Sequence, residues 1–266
     1  MGVTYRHGIS ILQLIIYLPS FFMASFLVFR HGFRQNSGFF FLVLFTLTRI
    51  VGACCDLATI HNSSTGIFIA AAICGSIGLS PLMLTCSGLL SRANLSIQNT
   101  TDQPALHTLF FHFFRLMTIL CMVLSIVGIT SDMSPEGLSH PDIKVKVGAI
   151  LYVVTWALMC LYLAMLIWRR YALEKGERRT LVAVAISAPF ILVRVIYSLL
   201  IWFAHDSAFS LFNGSVTVQL VMSVLEEFAV VIVCLGVGMT LRMRSMTPAQ
   251  DAKASSAYPP ASYANA

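Results

Sequence analysis

The chain has 266 residues, of which 58% are hydrophobic and only 11% are charged. Soluble domains carry about 25% charged residues, so a soluble core of this length is excluded and lipid is the expected solvent. The formal net charge of +6 does not indicate a nucleic-acid partner, because the basic residues cluster in alternate loops between apolar stretches.

Seven apolar stretches follow one another along the chain, at residues 9–30, 38–60, 66–91, 108–130, 147–168, 180–204 and 216–241. A bilayer core of about 30 Å needs about 20 apolar residues per helix. We therefore predict an all-α polytopic membrane protein with one seven-helix domain over residues 1–244. Residues 245–266 are rich in Ala, Ser and Pro and predict a disordered tail.

Basic residues predict the orientation of the seven helices. Eleven Lys and Arg residues fall in the loops after the first, third and fifth stretches and in the tail, and three fall on the other side. Arg92 is counted in the loop after the third stretch. Because basic loops stay in the cytosol, we expect the amino terminus outside and the tail in the cytosol, in a plasma membrane or endomembrane.

Two glycosylation motifs lie on the predicted outer side. They are Asn62-Ser63-Ser64 and Asn213-Gly214-Ser215, so Asn62 and Asn213 are candidate glycosylation sites of a glycoprotein.

Charged residues inside the apolar stretches predict a polar layer near the middle of the membrane. Arg49 lies at the centre of the second stretch, Arg194 near the centre of the sixth, and Glu226 and Glu227 near the centre of the seventh. Charge at the bilayer centre is costly, so we expect at least one Arg–Glu pair within about 4 Å. Asp56 shares a helix face with Arg49, about 10 Å further out, which fits a second ion pair or the mouth of a cavity equally well.

The last helix is predicted to carry a polar face. Gln219, Ser223, Glu226 and Glu227 fall within an arc of about 100° at helical spacing. Together with Arg194, Arg49 and Asp56 they are the candidates for ligand binding or proton handling. The competing interpretation is that these groups only hold the helices in register. No His/Cys cluster has metal-ligand spacing, so no metal and no cofactor are expected.

The third stretch carries Gly75, Ser76, Gly78 and Ser80, which are small residues that allow close helix approach. Pro81 follows them and predicts a kink, because proline has no backbone N–H to donate.

Several motifs resemble a family of fungal seven-helix integral membrane proteins that is catalogued as a domain of unknown function. They are RIVGA at 49–53, SIGLSPL at 76–82 with GLLSR at 88–92, PFILVRVIY at 189–197, and the pair Glu226-Glu227. The segments YRHG at 5–8 and RHGF at 30–33 are also similar. The resemblance covers the first to the seventh helix. It implies a fold and suggests that Arg49, Pro81, Arg194 and the Glu226-Glu227 pair are the polar signature of the family, but it implies no chemistry.

Three functions remain open from the sequence. The first is a protein that binds or moves a small amphipathic or lipid-like molecule, such as a secondary metabolite, in a polar cavity within the membrane. The second is an intramembrane enzyme, such as a non-metal terpene cyclase or isomerase, with Asp56, Glu226 or Glu227 as a buried acid. The third is a seven-helix receptor or an accessory subunit without a ligand.

Overall fold

The structure is a computed structural model that describes residues 5–31, 37–60, 65–101, 105–130, 143–169, 171, 173, 176–203 and 216–241. The regular structure of these residues is helical: α1 (Tyr5–His31), α2 (Ser37–Ala58), α3 (Thr65–Ile77), α4 (Leu79–Thr101), α5 (Thr108–Thr130), α6 (Ile143–Trp168), α7 (Arg178–Phe203), α8 (Val216–Gln219), a π-helical segment (Leu220–Leu225) and α9 (Glu226–Thr240). Seven helical spans within this part of the chain are long and apolar enough to cross a membrane, so the all-α prediction is confirmed. Asn62, Asn213 and the tail from residue 245 lie outside the described residues.

The span that contains α4 lies at the centre of the bundle. In its apolar window 72% of the residues are buried, against 28–44% in the other six spans. The peripheral helices instead expose large apolar side chains. On α1 these recur at helical spacing, at Ile15, Leu18, Phe22, Phe26 and Phe29. A soluble monomer rarely exposes such a continuous apolar face.

The third span is broken at Gly78, which separates α3 from α4. The predicted kink at Pro81 is therefore wrong in position. Pro81 is the third residue of α4, where a backbone N–H has no partner within the helix and its loss costs little. Gly78 is the residue that the geometry requires, because a β-carbon there would overlap the guanidinium of Arg49, at 2.6 Å from Cζ.

The α4 helix continues ten residues beyond the predicted end of the third stretch, so the assignment of Arg92 to a loop is wrong. Arg92 lies inside α4 and forms a buried, bidentate ion pair with Glu177, with Nε 3.0 Å from each carboxylate oxygen. The side-chain amide of Asn94 donates a hydrogen bond to Leu106 O at 2.8 Å and accepts one from Leu106 N–H at 2.9 Å. The polar residues that suggested a loop therefore face protein rather than water.

The last span is also irregular, because six residues of π-helix lie between α8 and α9. A π turn places an extra residue in the helix and is frequently found at functional sites. The segment ends just before Glu226 and Glu227, so it sets the direction in which both carboxylates leave the helix.

Candidate functional site

The carboxylate of Glu227 joins four helices at the centre of the bundle. Its Oε1 accepts hydrogen bonds from Arg49 Nη2 and from Arg194 Nε, the latter at 3.0 Å. Its Oε2 accepts one from Tyr17 Oη at 3.1 Å. The expected contact between Arg49, Arg194 and the glutamates of the last span is thus confirmed, through Glu227. Tyr17 was missed, since nothing distinguishes it in the sequence from other tyrosines in apolar stretches.

Both arginines also bond the carbonyl groups at the end of α3. Arg49 donates to Cys74 O at 3.4 Å and to Gly75 O at 3.3 Å, and Arg194 donates to Gly75 O at 3.1 Å. The last four carbonyls of a helix have no partner within it, and they form the negative end of its dipole. The break at Gly78 therefore leaves carbonyl acceptors inside the bundle, and the two guanidinium groups donate hydrogen bonds to them.

Neighbouring side chains fix the position of each guanidinium. Arg49 Cζ lies 5.5 Å from the ring centroid of Phe45, and Arg194 Cζ lies 5.5 Å from that of Tyr197. These are cation–π distances. Arg194 Nη1 also donates to Ser198 Oγ at 3.2 Å. Because each guanidinium has partners on several sides, its charge is held at a defined place.

A cavity of about 70 Å³ borders this group of charges. That volume holds a few water molecules or one small polar group. Its lining includes Arg49 and Arg194, the polar side chains Gln13, Ser76, Gln219 and Ser223, and the apolar side chains Ile129, Ile201, Trp202 and Val224. Gln219 and Ser223, both predicted for the site, therefore do line a cavity.

The cavity lies in the half of the bundle that contains the amino terminus. Ile129 and Trp202 are each one residue from the end of their helix, and Gln219 is the fourth residue of α8. Since consecutive spans run in opposite directions, these ends lie on the same side as the start of α1. The arginines, near the middle of α2 and α7, lie at the inner end of the cavity.

The charged side chains that line the cavity are positive. The side chains of Arg49 and Arg194 keep 8% and 7% of their surface exposed, whereas that of Glu227 keeps none. Two guanidinium groups share one carboxylate among the described residues, so the group carries a formal excess of one positive charge. The half-charge at the end of a helix offsets part of this excess.

Glu226 and Asp56 lie apart from this arrangement. Glu226 is half-buried, and within the described part of the chain its Oε2 is buried without a hydrogen-bond partner. Asp56 accepts a hydrogen bond from Ser10 Oγ at 2.6 Å, which joins α2 to α1. Neither carboxyl lines the cavity. The two adjacent glutamates thus have different environments, although helical spacing placed them on one face.

No group of three or more His, Cys, Asp or Glu residues within the described ranges could hold a metal ion. The cavity lining offers two guanidinium groups together with hydroxyl and amide groups that donate and accept hydrogen bonds.

The chain matches a known protein family over nearly its whole length. A family described as a domain of unknown function, DUF7702, matches residues 3–244. No curated protein and no solved structure matches the chain.

Proposed function

The chain belongs to the DUF7702 family, and from its cavity we propose that it is a multi-pass membrane protein that binds or moves a small amphipathic molecule. The amino terminus would lie outside and the tail in the cytosol, as the distribution of basic residues indicates. The observation that carries the proposal is the cavity itself, with arginines at its inner end and with Ile129 and Trp202, beside Gln219, near the helix ends. A polar head and an apolar tail match these two parts.

The size of the cavity limits what it holds. Complete sites for small molecules are about 300–1,000 Å³, whereas this one is about 70 Å³. The cavity therefore suits the polar head of a ligand, whose tail would lie between helices or in lipid.

The same geometry favours binding over acid catalysis. An intramembrane cyclase or isomerase needs an acidic proton at its substrate. None of the three predicted acids lines the cavity, and Glu227 is bound by two arginines. An accessory role without a ligand gives no reason for a polar cavity among apolar helices, whereas a receptor that binds a small molecule would use the same cavity. The fungal origin, the secondary metabolite and the glycosylation of Asn62 and Asn213 remain predictions.

Blocking the cavity tests the proposal. Ser223 lines the cavity and is 5% exposed, whereas Val221 in the same π-helical segment is 50% exposed on the outside of the bundle. We expect Ser223→Phe to lose small molecules that co-purify with the wild-type protein in neutral detergent, detected by native mass spectrometry. Val221→Phe is the matched control and should retain them.

Gln219→Leu is a second cavity variant whose result does not depend on whether Ser223→Phe folds. It removes a polar group from the lining without filling the cavity. The Gln219→Leu protein should remain monodisperse and should retain less of the co-purifying small molecule than wild type. The proposal is wrong if neither wild type nor Val221→Phe retains any bound molecule, or if both cavity variants retain as much as wild type.

A further inference from the structure

The excess positive charge at the inner end of the cavity indicates the chemical class of the ligand. We propose that the cavity takes the carboxylate of an amphipathic acid, with its head against Arg49 and Arg194 and its tail toward the helix ends. This inference rests on the proposed function and specifies the ligand.

The formal charges of the side chains at the inner end of the cavity do not cancel. An uncompensated charge in the membrane interior costs several kcal/mol. Arg49 and Arg194 share Glu227, and their other acceptors are neutral groups: backbone carbonyls and the hydroxyl of Ser198. One further negative charge would neutralise the group.

The donor capacity of the arginines is the second argument. Each guanidinium has five N–H donors, and the described residues accept three hydrogen bonds from Arg49 and three from Arg194. Both arginines line the cavity and keep donors for a ligand there. A carboxylate accepts about four hydrogen bonds and suits the planar guanidinium group. No carboxylate of the described chain lines the cavity, so the lining attracts an anion and repels a cation.

The volume of the cavity and its excess positive charge favour a carboxylate over larger or more highly charged anions. A carboxylate brings a single charge, which equals the formal excess of the ionised side chains, whereas a phosphate monoester brings up to two. A carboxylate also fits a cavity of about 70 Å³ without the bulk of a phospholipid head.

The apolar part of the lining gives the direction of the tail. Ile201 and Trp202 line the cavity seven and eight residues beyond Arg194 on α7. At 1.5 Å per residue, they lie about 10 Å nearer the amino-terminal end of the bundle. An acid whose head meets the arginines would extend its chain along these side chains.

A change at Ser198 tests the charge without removing either arginine. Ser198 lines the cavity, and its Oγ lies 3.2 Å from Arg194 Nη1. In Ser198→Asp the chain supplies its own carboxylate, while Ser198→Asn adds a neutral group of the same shape. Binding of dodecanoate, methyl dodecanoate, dodecylamine and acetate is measured by titration calorimetry in neutral detergent.

We expect wild type to bind dodecanoate at least about tenfold more tightly than its methyl ester, and not to bind dodecylamine. Ser198→Asn adds bulk to the lining and should lower both affinities, but it should keep the preference for the acid over the ester. Ser198→Asp should lose at least about tenfold in affinity for dodecanoate and melt at a higher temperature without ligand. The higher melting temperature separates charge compensation from damage to the fold.

Equal binding of the acid and its ester would overturn the assignment of a carboxylate and leave the proposed amphipathic ligand in place. Acetate binding as tightly as dodecanoate would overturn the amphipathic part, because the site would then select a free anion. If no probe binds and Ser198→Asp melts at or below the temperature of wild type, both the inference and the proposed function fail.

Discussion

Arg194 Nε donates to Glu227 Oε1 at 3.0 Å, and the same oxygen accepts from Arg49, which precedes Glu227 by 178 residues. One carboxylate oxygen thus links three helices. Because the pairs are buried, leaving either guanidinium without its partner would cost about 3–5 kcal/mol of folding stability. Substitutions of Glu227 and of Tyr17, which also bonds this carboxylate, measure how much the connection stabilises the fold.

Glu227→Gln should destabilise the protein strongly, by about 3–5 kcal/mol, because it leaves two buried guanidinium groups without a counter-charge. Glu226→Gln is the matched control on the adjacent residue, since Glu226 has no ion pair within the described part of the chain. Its effect should stay below about 1 kcal/mol. Thermal unfolding in detergent measures both, and equal losses would contradict the assignment of the pairing to Glu227.

Tyr17→Phe should cost less, about 1.5–3 kcal/mol, which is typical of a hydrogen bond to a charged group. It removes the hydroxyl that donates to Glu227 Oε2 and leaves the aromatic contacts with Phe45 and Phe228 intact. The expected order of melting temperatures is wild type, then Tyr17→Phe, then Glu227→Gln. A Tyr17→Phe variant as stable as wild type would show that the hydroxyl has another acceptor of equal strength.

Gly78→Ala should lower stability by about 1–3 kcal/mol, because the new methyl group collides with the guanidinium of Arg49. At Gly236 in α9, no side chain of the described residues beyond its chain neighbours, and no backbone beyond the adjacent turns of its own helix, lies within 4 Å of the place that a β-carbon would take. Gly236→Ala should therefore be neutral or gain up to about 1 kcal/mol from helix propensity. If the two variants melt at the same temperature, Arg49 has room to move away from Gly78.

Glu177→Gln should destabilise the opposite half of the bundle, by about 3 kcal/mol or more, because Arg92 is 4% exposed and would lose its bidentate partner. Arg178→Gln is the control at the next residue, which is exposed, and should change stability by less than about 0.5 kcal/mol. Hydrogen exchange of the α4 and α7 backbones near these residues should rise in Glu177→Gln and not in the control.

The orientation prediction is tested by reporters at the chain ends. A fluorescent protein on the carboxyl terminus should be protected from protease added outside intact cells, and an epitope on the amino terminus should be accessible there. The opposite pattern would reverse the predicted topology.

Hydropathy predicts the seven spans because helices in lipid need long apolar runs, and the cost of buried charge predicts that Arg49 and Arg194 meet a glutamate. Periodicity does not choose between Glu226 and Glu227, because the π-helical segment before them changes the direction of the side chains. It also does not predict the role of Gly75 O, since a backbone carbonyl becomes free only where the helix breaks. Arg92 was misplaced because a polar helix end buried in protein has the composition of a loop.

The position of Glu227 near the end of the chain has a consequence for how the protein is made. Arg49 and its carbonyl partners on α3 are 25 and 26 residues apart and emerge from the ribosome almost together. Glu227, whose carboxylate pairs with Arg49 and Arg194, is synthesised only with the last of these spans. If the spans enter a membrane in chain order, the first six would do so before the carboxylate that pairs with Arg49 and Arg194 has been made. A chain that stops before residue 227 would leave both guanidinium groups without the carboxylate that pairs with them in the complete fold.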